Sequence, residues 1–273
     1  MNVLKKTAFL VCATMLATVI NGMGADGKIV CEGSTTVLPI AQAAAEVYMD
    51  NNSGVNISVR GGGSGVGATS LIEGRCDIAD CSRAFKDSEL QKAAAKGKDP
   101  KAHVIAMDGI AVIVHPSNKF AELTKQQVKD IYTGKISNWS ALGGDNAKIV
   151  VVSRDSASGT FEAFGELALK GAKVRPDALM QAANQGVAGI VSRTPGAIGY
   201  VGLGYITPSV KTVKINGITA SRETVLSGKY PYSRPLFMYT DGQPQGKVKD
   251  FIDFILSAGG QKIVEEQGFV GLK

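Results

Sequence analysis

Residues 148–167 read KIVVVSRDSASGTFEAFGEL. Six residues of strand character (KIVVVS, 148–153) end in Arg154, Asp155 and a run of small polar residues, after which Phe161, Phe164 and Leu167 recur at helical spacing. A strand that opens into a helix through such a turn leaves the first N–H groups of the helix unpaired, and the positive end of the helix dipole points the same way. Hydroxyl donors and an arginine gathered at that mouth suit an anion.

The same arrangement occurs twice more. GSTT (33–36) links the strand KIVCEG to a helix in which Ile40, Ala44, Val47 and Tyr48 mark one face, and GGGSGVG (61–67) links VNISVR to ATSLIEG. One polar turn of this kind is weak evidence, because Ser and Thr are ordinary helix caps. Three in one chain, beside the strand-end arginines Arg83 and Arg154, point to an anion site, since ligands of open α/β sheets collect where strands run out into helices.

Outward from these turns the alternation continues. CDIADCS (76–82), HVIAMDGIAVIVHP (103–116) and PLFMYT (235–240) read as strands, TKQQVKDIYTG (124–134) as a helix closed by Gly134, and KISNWSALGGDN (135–146) as turn-rich. PDALMQAANQGVAGIVSRTPGAIGYVGLGYI (176–206) holds a helix and a strand, and QGKVKDFIDFILSAGGQKIVEEQG (245–268) a closing helix. The pattern predicts an α/β protein with mainly parallel pairing.

Composition narrows the chemistry. Lys5 and Lys6 precede the apolar stretch TAFLVCATMLATVI and a run of small residues up to Ala25, the form of a secretory signal peptide over residues 1–25 and of an exported, periplasmic protein. Cys12 lies inside the apolar stretch and Cys31 inside a strand, so neither has the setting of a lipidated first residue. Removing 25 of 273 residues leaves 248, enough for one large domain or two ordinary ones, and the loss of Lys5 and Lys6 takes the formal charge from +6 to +4. Without a run of like charges, that excess argues against nucleic acid and favours a small anion. Of the remaining Cys31, Cys76 and Cys81, at most one pair can form, most simply Cys76 with Cys81. With His103 and His115 the only histidines and no paired Cys spacing near them, a metal is not expected.

Catalytic readings fit poorly. A phosphate-cradling nucleotide loop needs a Lys before its Ser or Thr, whereas Ala68 follows Gly67; a nucleophile elbow at Ser64 needs Gly where Val66 stands. An exported phosphohydrolase with Glu32, Asp80 or Asp155 as base is the enzyme alternative.

The motifs GSTTVLPI, GGGSGVG, DIADCSR, DIYTGKISNWSALGG, RDSASGTFEAF, GAIGYVGLGY and FIDFILSAGGQKIVEEQGFVGL resemble the phosphate-binding proteins of high-affinity ABC uptake systems, within the periplasmic solute-binding superfamily. The resemblance implies a two-lobed periplasmic-binding-protein fold (type II), with a cleft that closes on phosphate and DGIAVIVH and GYVGLGYI as crossover strands. It implies one lobe from residues 26–110 and 207–273 and another from 111–206. Ligand groups would come from Ser34, Thr35, Thr36, Val37 and Ser64 on the first lobe and Arg154, Ser158, Gly159 and Thr160 on the second. Some members carry a carboxylate where this chain has Ser82 followed by Arg83; Arg83 would add positive charge, and Asp80 or Asp155 would be left to accept the phosphate proton. The resemblance further implies a monomer without cofactor that delivers phosphate to a membrane ABC permease. Sulfate, molybdate or tungstate is the alternative ligand.

Overall fold

The computed structural model describes residues 27–272, so the signal-peptide reading of residues 1–25 lies outside the described residues. The first half of the chain runs β1 (Lys28–Gly33), α1 (Leu38–Asn51), β2 (Asn56–Gly61), α2 (Ser64–Ile72), β3 (Ile78–Cys81), α3 (Asp87–Ala95), β4 (Pro100–Val114), β5 (Glu122–Leu123) and α4 (Lys125–Tyr132). The second half runs β6 (Val150–Arg154), α5 (Gly159–Leu167), β7 (Leu179–Gln181), α6 (Asn184–Val191), β8 (Ala197–Gly202), β9 (Lys211–Thr212), β10 (Lys214–Ile215), α7 (Arg222–Leu226), β11 (Ser233–Asp241), α8 (Gly246–Leu256) and α9 (Ala258–Glu266).

The strands line up as β2-β1-β3-β11-β4-β8-β6-β7, with β9 beside β4 and β10 paired to β5. Pairing is parallel within each half of this order, β1 with β2 and β3, and β6 with β7 and β8. It is antiparallel in the middle, where β11 lies against β3 and β4, and β4 against β8. The expected parallel sheet is therefore mixed, because the chain crosses between two lobes there.

β4 makes one crossing: residues 100–109 pair with β11 and residues 110–114 with β8. The other crossing falls on β11 and not on GYVGLGYI, because after Tyr205 the chain turns back. β9 pairs with Ile113 and Val114, β10 pairs with β5, and Val213, Ile215, Ala220 and Val225 share the core of Leu123, Val128, Trp139 and Phe164. The segment 207–232, which the resemblance places with the first lobe, packs against residues 110–206.

Each lobe has its own core. In the first, α1 lays Ile40, Ala41, Ala44 and Tyr48 on Ile29, Ile57, Ile78, Phe251 and Val264. Val47, expected on that face, is exposed, since the i, i+4 rows select Ala41 and Ala45 instead. The closing helix is two helices: Ser257 has extended φ and ψ, ends α8 and caps α9 by accepting from Gly260 N at 3.2 Å. Cys31, Cys76 and Cys81 are free and buried, so the Cys76–Cys81 pair does not form; their thiols face Gly67 O (Cys76) and Ser64 O (Cys81). Among the described residues no helix is long and apolar enough to cross a membrane.

Candidate anion site

The three polar turns meet where the lobes touch. Ser34 N donates to Asp80 O at 2.7 Å, and Ser34 Oγ accepts from Thr36 N at 3.1 Å and Val37 N at 3.3 Å. Ser34 and Val37 are thus spent on closing the turn before α1. That turn presents the hydroxyls of Thr35 and Thr36 to the other lobe. At the second turn Gly63 has φ 99° and stands against Ala157 O of the opposite lobe, where a β-carbon would lie only 2.5 Å away. Only glycine meets both demands. Ser64 then opens α2, its Oγ accepting from Ser82 N at 3.0 Å and lying 3.3 Å from Ser82 Oγ.

The second lobe supplies the facing wall. β6 ends at Arg154, Asp155 Oδ1 accepts from Ala157 N at 3.1 Å to shape the turn, and Ser158 Oγ caps α5 by accepting from Phe161 N at 3.2 Å. Across the seam Thr36 Oγ1 and Thr160 Oγ1 stand 2.9 Å apart, and Gly65 N donates to Ala157 O at 3.0 Å. A β-carbon on Gly159 would fall 2.3 Å from Ser64 Oγ. The lobes are in their closed relation.

Two arginines are buried here, and their neighbours differ. Arg234, at the start of β11, donates to Asp108 Oδ2 from Nε (3.1 Å) and Nη2 (2.8 Å), and from Nη1 to Ser82 O (3.0 Å). Its Nη2 also reaches Thr160 Oγ1 at 3.0 Å. Arg154, 1% exposed, has no carboxylate within ion-pair distance among the described residues. Its Nε donates to Gln181 O (3.0 Å), its Nη2 to Ala182 O (2.8 Å) and Thr35 Oγ1 (3.0 Å), and its Nη1 is buried without a partner. Burial pulls this guanidinium down to about 10. A desolvated cation with an orphaned donor is costly unless an anion completes it.

Asp108, Asn184 and Arg234 escaped the sequence reading. Asn184, the first residue of α6, donates to Thr36 Oγ1 at 3.0 Å and Thr35 Oγ1 at 3.3 Å. The available signals were a lone Asp before Gly109 in an apolar strand and a lone Arg before Pro235, and both are faint.

Three sequence candidates make no side-chain contact with this donor set. Asp155 is spent on its own turn. Asp80 contributes its carbonyl to Ser34 N, but its carboxyl oxygens are fully buried without a hydrogen-bond partner, and desolvation pushes the group up to about 8. Arg83 is engaged by Glu89 in a two-pronged pair (2.8 and 2.7 Å), with its Nε 2.5 Å from Glu162 Oε2. Its charge is already neutralised. Among the described residues no three His, Cys, Asp or Glu side chains group as metal ligands.

Comparison with known proteins bears on what this seam does. Residues 21–258 match a family described as PBP superfamily domain. The phosphate-binding protein PstS of Bacillus subtilis (strain 168) is 35% identical over 90% of this chain and 81% of its own length, and the PstS of Borreliella burgdorferi is 33% identical over 99% and 100%. Among solved structures, a Clostridium perfringens protein assigned to phosphate ABC transport, with phosphate bound, is 37% identical with a TM-score of 0.84. That alignment covers 90% of this chain and 100% of the other.

Proposed function

Since the chain belongs to the phosphate-binding proteins of the PBP superfamily, we propose that it binds inorganic phosphate between its lobes and delivers it to an ABC-type permease. The observation that carries this reading is Arg154: a buried guanidinium, free of any carboxylate among the described residues, with Nη1 unpartnered and Nη2 donating to Thr35 Oγ1 of the other lobe. Phosphate supplies the missing acceptors and charge. Arg154 can give it parallel N–H bonds, while α2 and α5 add the positive ends of their dipoles through Ser64, Gly159 and Thr160.

Thr35, Thr36, Ser64 and Ser82 on one lobe and Arg154, Ser158, Gly159 and Thr160 on the other form the proposed ligand set, with Arg234 and Asn184 added. Ser34 and Val37 shape the first turn, and Arg83, Asp80 and Asp155 are left out of direct contact. Residues 27–109 with 233–272 form the first lobe in this reading, and residues 110–232 the second. Because donors come from both lobes, a full donor set exists only when they meet, so binding and closure are one event.

In this reading the protein is a periplasmic receptor whose seam offers an anion guanidinium and hydroxyl donors from both lobes. Titration calorimetry of the mature chain with phosphate, sulfate and molybdate, run beside a phosphomonoester turnover assay, tests this. One-to-one phosphate binding without product release is expected; turnover, or preference for sulfate or molybdate, would overturn it.

A further inference from the structure

Arg83 sits beside the seam yet outside the ligand set, and its surroundings give it another task. Its guanidinium is fixed inside the first lobe: Nη1 donates to Ala84 O at 2.7 Å and Glu89 Oε2 at 2.8 Å, and Nη2 to Glu89 Oε1 at 2.7 Å. Glu89 is fixed in turn, because the same Oε2 accepts from Lys86 N at 2.8 Å at the start of α3. Arg83 therefore keeps one conformation without help from the other lobe. From that position its Nε forms an ion pair with Glu162 Oε2 on α5 at 2.5 Å, without the alignment of a hydrogen bond, and Lys86 Nζ forms one with Glu162 Oε1 at 2.8 Å. Both oxygens of one second-lobe carboxylate are held by two first-lobe cations.

We propose that Arg83, with Lys86, latches onto Glu162 to hold the closed lobes together, setting how slowly bound phosphate leaves. The charges fit this role. Arg83, Lys86 and Glu89 sum to one positive charge on the first lobe, facing one negative charge on the second. The Arg83 and Glu162 side chains are only 9% and 16% exposed, so the pair is shielded from water as exposed pairs are not. Glu162 lies in the first turn of the helix whose opening holds Gly159 and Thr160. The latch thus acts on the same rigid element that carries the second lobe's donors. Separation of the lobes breaks both contacts to Glu162 and none of those to Glu89.

The latch rests on the phosphate-receptor reading, and its test separates the two. Stopped-flow release of phosphate from the mature chain is measured for wild type, Glu162→Gln, Arg83→Gln and the double variant, each checked for a native thermal melt. Each single variant is expected to release phosphate at least tenfold faster, a lower bound for breaking a shielded charge pair. The double variant should be no faster than Glu162→Gln alone, and wild-type release should quicken with ionic strength more than that of Glu162→Gln. Lys86→Gln, which removes the more exposed partner, should have a smaller effect. Equal release rates in wild type and Glu162→Gln, or additive effects in the double variant, would overturn the latch while leaving phosphate binding intact. Failure of wild type to bind phosphate would instead strike the receptor reading.

Discussion

Thr36 and Thr160 lie 124 residues apart in sequence and on different lobes, and their hydroxyl oxygens stand 2.9 Å from one another. Each follows a strand through a polar turn. Their meeting makes the ends of β1 and β6 two walls of one site, and Arg154 and Arg234 reach into it from the second lobe and from the crossing strand.

Removing Arg154 should cost binding and gain stability. Arg154→Ala is expected to weaken phosphate affinity at least tenfold, since losing one partner of a desolvated charge pair costs roughly 2–5 kcal/mol. The isosteric, uncharged Arg154→Met should melt at a higher temperature than wild type without phosphate, because the buried cation has no carboxylate of its own. Calorimetric titration and a thermal melt read the two effects; unchanged affinity would remove Arg154 from the site.

Gly159 stands where the lobes meet and leaves no room for a side chain. A methyl there would press on Ser64 Oγ at 2.3 Å, Ser82 Oγ at 2.8 Å and Ser64 Cβ at 2.9 Å. Such overpacking costs about 1–3 kcal/mol, so Gly159→Ala should lower phosphate affinity about tenfold while far-ultraviolet circular dichroism stays native. Equal affinities would mean that the lobes need not meet there.

Asp80 should make stability fall as pH rises. In the folded chain its carboxyl keeps its proton up to about pH 8, whereas in the unfolded chain it ionises near pH 4. Between those values the folded state binds the extra proton, so this group's contribution is full below about pH 4 and is lost progressively up to about pH 8. Urea midpoints at pH 5 and pH 8 should drop less for Asp80→Asn than for wild type. Parallel drops would contradict the buried neutral acid.

Asp108 balances Arg234, so Asp108→Asn leaves a second buried cation without its carboxylate. That loss is expected to cost about 3–5 kcal/mol. Saturating phosphate should then raise the melting temperature of Asp108→Asn by more than it raises that of wild type. Equal shifts would place Arg234 outside the anion's reach.

The local chemistry of the site was legible in the sequence, and its distant pairings were not. GSTT, GGGSGVG and SASGT announce themselves because a strand, a polar turn and a helix are all short-range features. Arg234 and Asp108 were hidden because each interrupts a strand by a single residue, and only the β4–β11 register, Arg234 opposite Asp108, turns two isolated charges into a pair. Arg83 shows the reverse: a strand-end arginine read as a ligand is neutralised by Glu89 and Glu162, and Glu162 lies 79 residues away. The second crossing is hidden for a related reason: the resemblance implies GYVGLGYI as a crossover strand, whereas after it the chain pairs β9 with β4 and β10 with β5 before β11 pairs with β3.

Small-angle X-ray scattering of the mature chain with and without phosphate tests closure around the anion most directly. Phosphate should lower the radius of gyration of wild type, and at least tenfold more phosphate should be needed to lower that of Arg154→Ala. Superimposable wild-type curves with and without saturating phosphate would contradict binding by closure of the two lobes.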